Sequence, residues 1–237
     1  MAEIRRIEYG GHIIKFRVER RDRRTLEIAV EPNATVTATA PLNAAGDEID
    51  AKVRKRAAWI LRQQRYFEGF LPRMVERRYV AGETHLYLGR QYRLKILRAD
   101  QPNVRLLRGF FIVEVLRGAD ADEIRQLLEA WYFARARYKF EERLEASLPR
   151  FSAPEKHRPT MIMIRDLKRR WGSMSPAGRL LLNQRLIQAP TECIDYVVTH
   201  ELCHRTEAHH GPAFIELLGR VMPDWPRRKE RLEKVMA

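Results

Sequence analysis

The sequence predicts an α+β protein, with a β-rich N-terminal region carrying one long helix and a more helical C-terminal part. Three observations predict it. Residues 12–18, 25–30 and 35–40 have strand-like composition, and Thr35-Val36-Thr37-Ala38-Thr39-Ala40 alternates strictly, the period of a strand. Ile49, Val53, Ala57, Ile60 and Leu61 recur at helical spacing. A stretch over about 120–147, rich in Leu, Glu, Ala and Arg, reads as a second long helix.

The elements follow in order. Pro32-Asn33 marks a turn between strands, and Pro41 ends the first strand set. Asp47 is positioned to cap the first long helix. His85–Leu88 and Gln91–Leu97 flank Gly89-Arg90, and Val104–Leu107 and Phe110–Leu116 flank Arg108-Gly109, so both read as hairpins. Pro149 ends the second long helix. Met161–Ile164 and Leu180–Asn183 read as short strands. A helix starts near Thr191, with Glu192 suited to its positive end, and a last one begins near Pro212. No repeat is visible. The expected division is residues 1–118 and 119–237.

The chain of 237 residues is long enough for one large domain or two small ones. No apolar run reaches bilayer length and the N-terminus has no signal-like apolar core, so no membrane partner and a cytoplasmic location are expected. Cys193 and Cys203 fall on one helix about 15 Å apart, too far for a disulfide. The net charge is +14. Residues 52–98 hold thirteen Lys/Arg against three Glu, a net +10, which favours an anionic partner such as nucleic acid or a nucleotide, or else forms a solvated face.

The chemistry is concentrated between positions 200 and 210, where four of seven histidines lie. In His200-Glu201-Leu202-Cys203-His204 the two histidines are four apart, so on a helix they sit on neighbouring turns and can grip one ion. Ile194, Val197, Val198 and Leu202 form an apolar stripe, with Glu201 near its centre. A carboxylate on a buried face needs a compensating cation, which a metal centre supplies. The residues leave the third ligand open between His209 and His210. His210 stands six after His204, the spacing of the metzincin proteases, but Glu207 occupies the position where those proteins have glycine. Three imidazoles would leave one coordination position open, the pattern of a catalytic rather than a structural zinc, with one Zn2+ per chain.

Several segments in order resemble the YgjP-like metal-dependent hydrolases, relatives of the SprT-like and WLM proteases. These are Arg169-Arg170-Trp171-Gly172-Ser173, Leu182-Asn183, Leu186–Pro190, Asp195–His204, and His210 with Phe214. Val36–Pro41 and Ala81-Gly82-Glu83 with Tyr87-Leu88-Gly89 fit as well, so the resemblance covers nearly the whole chain. Met174 departs from it, since the family usually has cysteine there. The resemblance implies a C-terminal zincin-like metallopeptidase domain, with the metal on an active-site helix. It implies His200, His204 and His210 as ligands and Glu201 as catalytic base. The expected function is a zinc metallopeptidase acting on a peptide or protein. The alternatives are a nucleotide phosphoanhydride hydrolase on the same metal, or a nucleic-acid-associated protease or binding module using residues 52–98. Asn183, Arg185, Tyr196 and His209 are candidates to contact substrate and stabilise an oxyanion, and Trp171 to line the cleft. If Leu180–Asn183 is an edge strand, an extended peptide can pair with it.

Overall fold

Inward-facing apolar residues at every second position build the first of two compact units, Met1–Val75, and a long helix organises the second, Glu76–Met236. The computed structural model describes residues 3–31, 34–68, 77–167 and 170–236. The expected division at 118–119 falls inside the second unit. The basic run at 52–98 is divided between the two units, and its residues 69–76, like the expected turn at Pro32-Asn33, lie outside the described residues. Among the described residues the chain forms seven α-helices and three small sheets, and no helix is long and apolar enough to cross a membrane.

In the first unit, strands β1 (Glu3–Tyr9), β2 (His12–Arg21), β3 (Glu27–Val30) and β4 (Val36–Pro41) form a sheet of order β1-β2-β4-β3. Ile14, Phe16 and Val18 point inward from β2, as do Val36, Ala38 and Ala40 from β4. They meet Ile49 and Val53 of α1 (Gly46–Lys55) and Ala57 and Ile60 of α2 (Ala57–Glu68). The single helix expected here is two. Arg56 donates to Val53 O at 3.0 Å, a three-residue step that tightens the turn and breaks the α ladder between them. Ala45, not Asp47, is the N-cap, and Asp47 lies in the first turn.

The second unit opens on β5 (Thr84–Tyr87), β6 (Arg90–Arg98), β7 (Asn103–Leu107) and β8 (Phe110–Val115), in the order β5-β6-β8-β7. This repeats the first sheet's plan: an antiparallel hairpin, a parallel central pair and a second antiparallel hairpin. Helix α3 (Ala121–Ser147) follows, capped by Asp120, whose carboxylate accepts from Glu123 N. Its buried apolar residues Ile124, Leu128, Tyr132, Ala136, Phe140 and Leu144 are spaced by four. Each step of four advances about 40° around a helix of 3.6 residues per turn, so the buried line winds through about 200°. One helix thereby packs against β7 and β8 and also against a later helix, α5.

After the short α4 (Pro154–His157) come β9 (Met161–Arg165), β10 (Gly172–Met174) and β11 (Arg179–Asn183), in the order β10-β11-β9. Leu180–Asn183 is therefore the central strand, so the condition for a peptide to pair with it, that it be an edge, is not met. The edges are β9 and β10, the latter too short to register as a strand in the sequence. Helix α5 (Thr191–Cys203) is buried at ten of its thirteen positions. The turn between β5 and β6 is fastened to the segment before it: Leu88 and Gly89 donate to Ile187 O and Gln188 O at 3.0 and 2.9 Å. Gly89 has φ +77°, and a Cβ there would lie 2.7 Å from Pro190 Cγ. Helices α6 (Pro212–Val221) and α7 (Trp225–Met236) close the unit, where one last helix was expected.

Asp195 fixes the position of α5. It is 6% exposed. Arg143 of α3 grips it with two hydrogen bonds of 2.6 and 3.1 Å, and Arg228 of α7 and Arg150 approach within 3.5 and 3.8 Å. Removing this carboxylate leaves half-buried guanidinium groups uncompensated. Asp195→Ala is expected to cost about 3 kcal/mol in urea denaturation. Glu145→Ala, which breaks the exposed bidentate pair with Arg158 at 2.6 and 2.8 Å, is expected to cost less than about 1 kcal/mol.

Candidate metal centre

Helix α5 presents its last turn to a cleft of about 760 Å3. His200 stands in that turn and His204 is the C-cap residue. The chain then folds back on the end of its own helix: Cys203 O accepts from Thr206 N at 3.1 Å and Glu207 N at 3.0 Å. This turn needs no left-handed residue, and Glu207 is not among the residues with positive φ. A glycine is thus unnecessary at 207, and the chain still delivers His210 beside the other two histidines.

The Nε2 atoms of the three imidazoles converge. His210 Nε2 lies 2.9 Å from that of His200 and 3.1 Å from that of His204, and the candidate ligand atoms of all three residues lie within 4.8 Å of one another. His204 Nδ1 is 2.9 Å from Glu207 O, a pure acceptor, so Nδ1 carries the proton and neutral His204 offers a bare lone pair at Nε2. His210 Nε2 has two nitrogen neighbours and at most one proton to share. Three nitrogens meeting in this way suit a cation better than they suit each other. Tetrahedral coordination at about 2.0–2.1 Å would set the nitrogens about 3.3 Å apart, close to what is found. Burial and then the neighbouring imidazoles push His200 down to about 3, and the same causes lower His210. Both therefore stay neutral, as a ligand must. His209 lines the cleft but stands outside the trio.

Phe214, on α6, underlies all three rings. It is 1% exposed, and its ring centroid lies 4.9, 4.6 and 4.8 Å from those of His200, His204 and His210. The matching segments included Phe214, but its place beneath the imidazoles follows from the packing of α6 on α5, which the sequence does not display.

Glu201 is 6% exposed, as its place on the apolar stripe predicts. Burial raises its carboxyl to about 7, opposed by the Met174 backbone N–H, which donates to it, and by the charge of Arg170. Gly172 makes room for it: a Cβ there would lie 2.9 Å from Glu201 Cγ and 3.0 Å from Oε1. Position 174 thus acts on Glu201 through its backbone, whichever side chain it carries. Arg205 is turned away from this carboxylate, and its guanidinium packs where a Cβ on Gly178 would lie 2.6 Å from Nη1.

Trp171, Tyr196 and His209 line the cleft together with His200, Glu201, His204 and His210. Asn183 and Arg185, expected to face substrate, do not line it. Asn183 is 3% exposed and spends its amide on backbone: Nδ2 donates to Leu167 O and Arg170 O at 2.8 and 3.0 Å, and Oδ1 accepts from Arg185 N at 3.0 Å. It ties the approach to β10 onto the end of β11. Arg185 pairs with Asp166 at 3.1 Å on the exposed surface. The tight fit of Glu201 against β10 predicts that Gly172→Ala destabilises the unit by about 1–3 kcal/mol in thermal unfolding, as an added methyl in a packed site does. An unchanged midpoint would contradict this packing.

Comparison with known proteins agrees with this geometry. No curated protein gives a significant match to the chain. The family model of the YgjP-like metallopeptidase domain matches residues 24–235. The chain belongs to the YgjP-like metallopeptidase family, and is thus a metal-dependent hydrolase of the peptidase type.

Proposed function

We propose that the protein is a zinc metallopeptidase, with one Zn2+ per chain held by His200, His204 and His210 and Glu201 as general base. The observation that carries the reading is the convergence of three imidazole nitrogens beside a buried carboxylate in an open cleft. On this reading the second unit holds a zincin-like catalytic domain. All-nitrogen ligation favours zinc over calcium or magnesium, which prefer oxygen. When bound, the ion supplies Lewis acidity, which makes water easier to deprotonate and a scissile carbonyl more electrophilic.

The protein's own groups do the rest. Glu201 accepts a proton from the attacking water at a carboxylate oxygen and returns it to the leaving amine. A carboxyl raised by burial suits that exchange near neutral pH. Of the four residues expected to contact substrate, Tyr196 and His209 are on the cleft wall and can donate to the developing oxyanion. Trp171 supplies an apolar surface for a substrate side chain. Strand β10 is an edge of its sheet, along which an extended peptide can add through the backbone groups that Glu201 leaves free.

Chelation is expected to abolish hydrolysis of a denatured protein substrate, and stoichiometric zinc to restore it. Glu201→Gln is expected to lower kcat at least a hundredfold while retaining the metal, measured by peptide release and metal analysis in parallel. A zinc-loaded enzyme that cleaves no protein but hydrolyses nucleoside triphosphates would overturn the reading. Phe214→Ala, which removes the packing under three ligands, is expected to weaken zinc affinity about 10- to 100-fold in competition with a chromophoric chelator, against little change for Phe110→Ala on a strand surface.

A further inference from the structure

The cleft carries an excess of positive charge beyond its one carboxylate. Its described lining contains two arginines, Arg170 and Arg205, and a single carboxylate, Glu201. Arg170 is exposed and pairs with no carboxylate among the described residues. Lys229, exposed on α7, adds positive charge felt at His200 and His210. A divalent ion on the three histidines would raise the excess further. An anionic substrate would neutralise this field, and a cationic one would be repelled.

The placement of the arginines separates two kinds of anion. Arg170 precedes β10, and Arg205 packs against Gly178 in the turn that follows β10. The two residues thus enter the cleft from the segments that precede and follow β10. A triphosphate is compact and needs convergent clamps. An extended chain lying along β10 advances about 3.3 Å per residue, and so passes both cations within a few residues of its centre. We infer that the enzyme selects peptide segments with acidic side chains on both sides of the scissile bond, through Arg170 at one end of β10 and Arg205 at the other. This rests on the peptidase reading above and names its substrate class.

The test uses zinc-loaded Glu201→Gln protein and fluorescein-labelled peptides that differ only in carrying Glu, Gln or Lys at the flanking positions. Anisotropy is expected to give the Glu peptide a Kd about tenfold below that of the Gln peptide, the sum of two charge contacts, with the Lys peptide weaker still. Added salt should shrink the difference. Adding Arg170→Glu should remove most of the preference, whereas Arg98→Glu, the same charge change on an exposed residue of β6, should leave it. Arg205→Gln tests the other end, and its circular dichroism spectrum shows whether the packed turn survives.

Equal affinity for the three peptides would overturn the inference. So would an Arg170→Glu effect no larger than that of Arg98→Glu, or displacement of the Glu peptide by a nucleoside triphosphate or single-stranded DNA at lower concentration than by unlabelled peptide. Cleavage by the wild-type enzyme separates the two claims. If Lys and Glu peptides are cut equally fast, the selectivity fails and the peptidase reading stands. If no peptide is cut yet the Glu peptide binds selectively, the peptidase reading fails and the recognition stands.

Discussion

Helix α5 is buried along nearly its whole length and still carries ionisable groups at Asp195 and Glu201 and an imidazole at His200. A helix so enclosed is stable only if each of these groups finds a partner, because an unpaired buried charge costs several kcal/mol. Much of the second unit can be understood as the set of partners. Arg143, Arg150 and Arg228 surround Asp195 from outside the helix. The backbone of β10 approaches Glu201 so closely that only glycine fits at 172. The histidines meet each other, which a metal ion would satisfy. The sites that neutralise the helix are also the sites that orient it.

This arrangement makes the centre rigid from several directions. Phe214 sets the floor beneath the imidazoles, and Glu207 O fixes the tautomer of His204. His157, stacked on Phe151 with ring centroids 4.0 Å apart, donates to Leu202 O at 3.0 Å and so engages the last turn of α5. Asn183 holds the approach to β10 with two side-chain hydrogen bonds. The geometry of the three imidazoles and of Glu201 is held by supporting residues, not by the histidine motif alone.

What the sequence discloses and what it hides have separate physical causes. The period-two burial of β2, the start of α5 at Thr191 and the burial of Glu201 are local or periodic, and all are legible. So is the proximity of His200 to His204, set by helix geometry. The role of β11 is not, because whether a strand is central or at an edge depends on pairing with distant segments. Three residues with Gly and Ser show no period, which hides β10. The break at Arg56 has no Gly or Pro to announce it, since a single tightened hydrogen bond makes it. Asn183 is a polar residue near a cleft in the sequence and a backbone staple in the fold. The shared plan of the two four-stranded sheets lies in strand order and sense, which are topological and leave no visible repeat in the residues.

The proposed activity requires His200, His204 and His210 to share one ion, with a coordination position left for water or substrate. X-ray absorption at the zinc edge of the metal-loaded protein tests this directly. The account predicts one zinc per chain with three imidazole nitrogens at about 2.0–2.1 Å and one light oxygen-type ligand, and a loss of one imidazole on His210→Ala. A shell closed by four protein ligands, a sulfur scatterer from Cys203, or an unchanged spectrum in His210→Ala would contradict it.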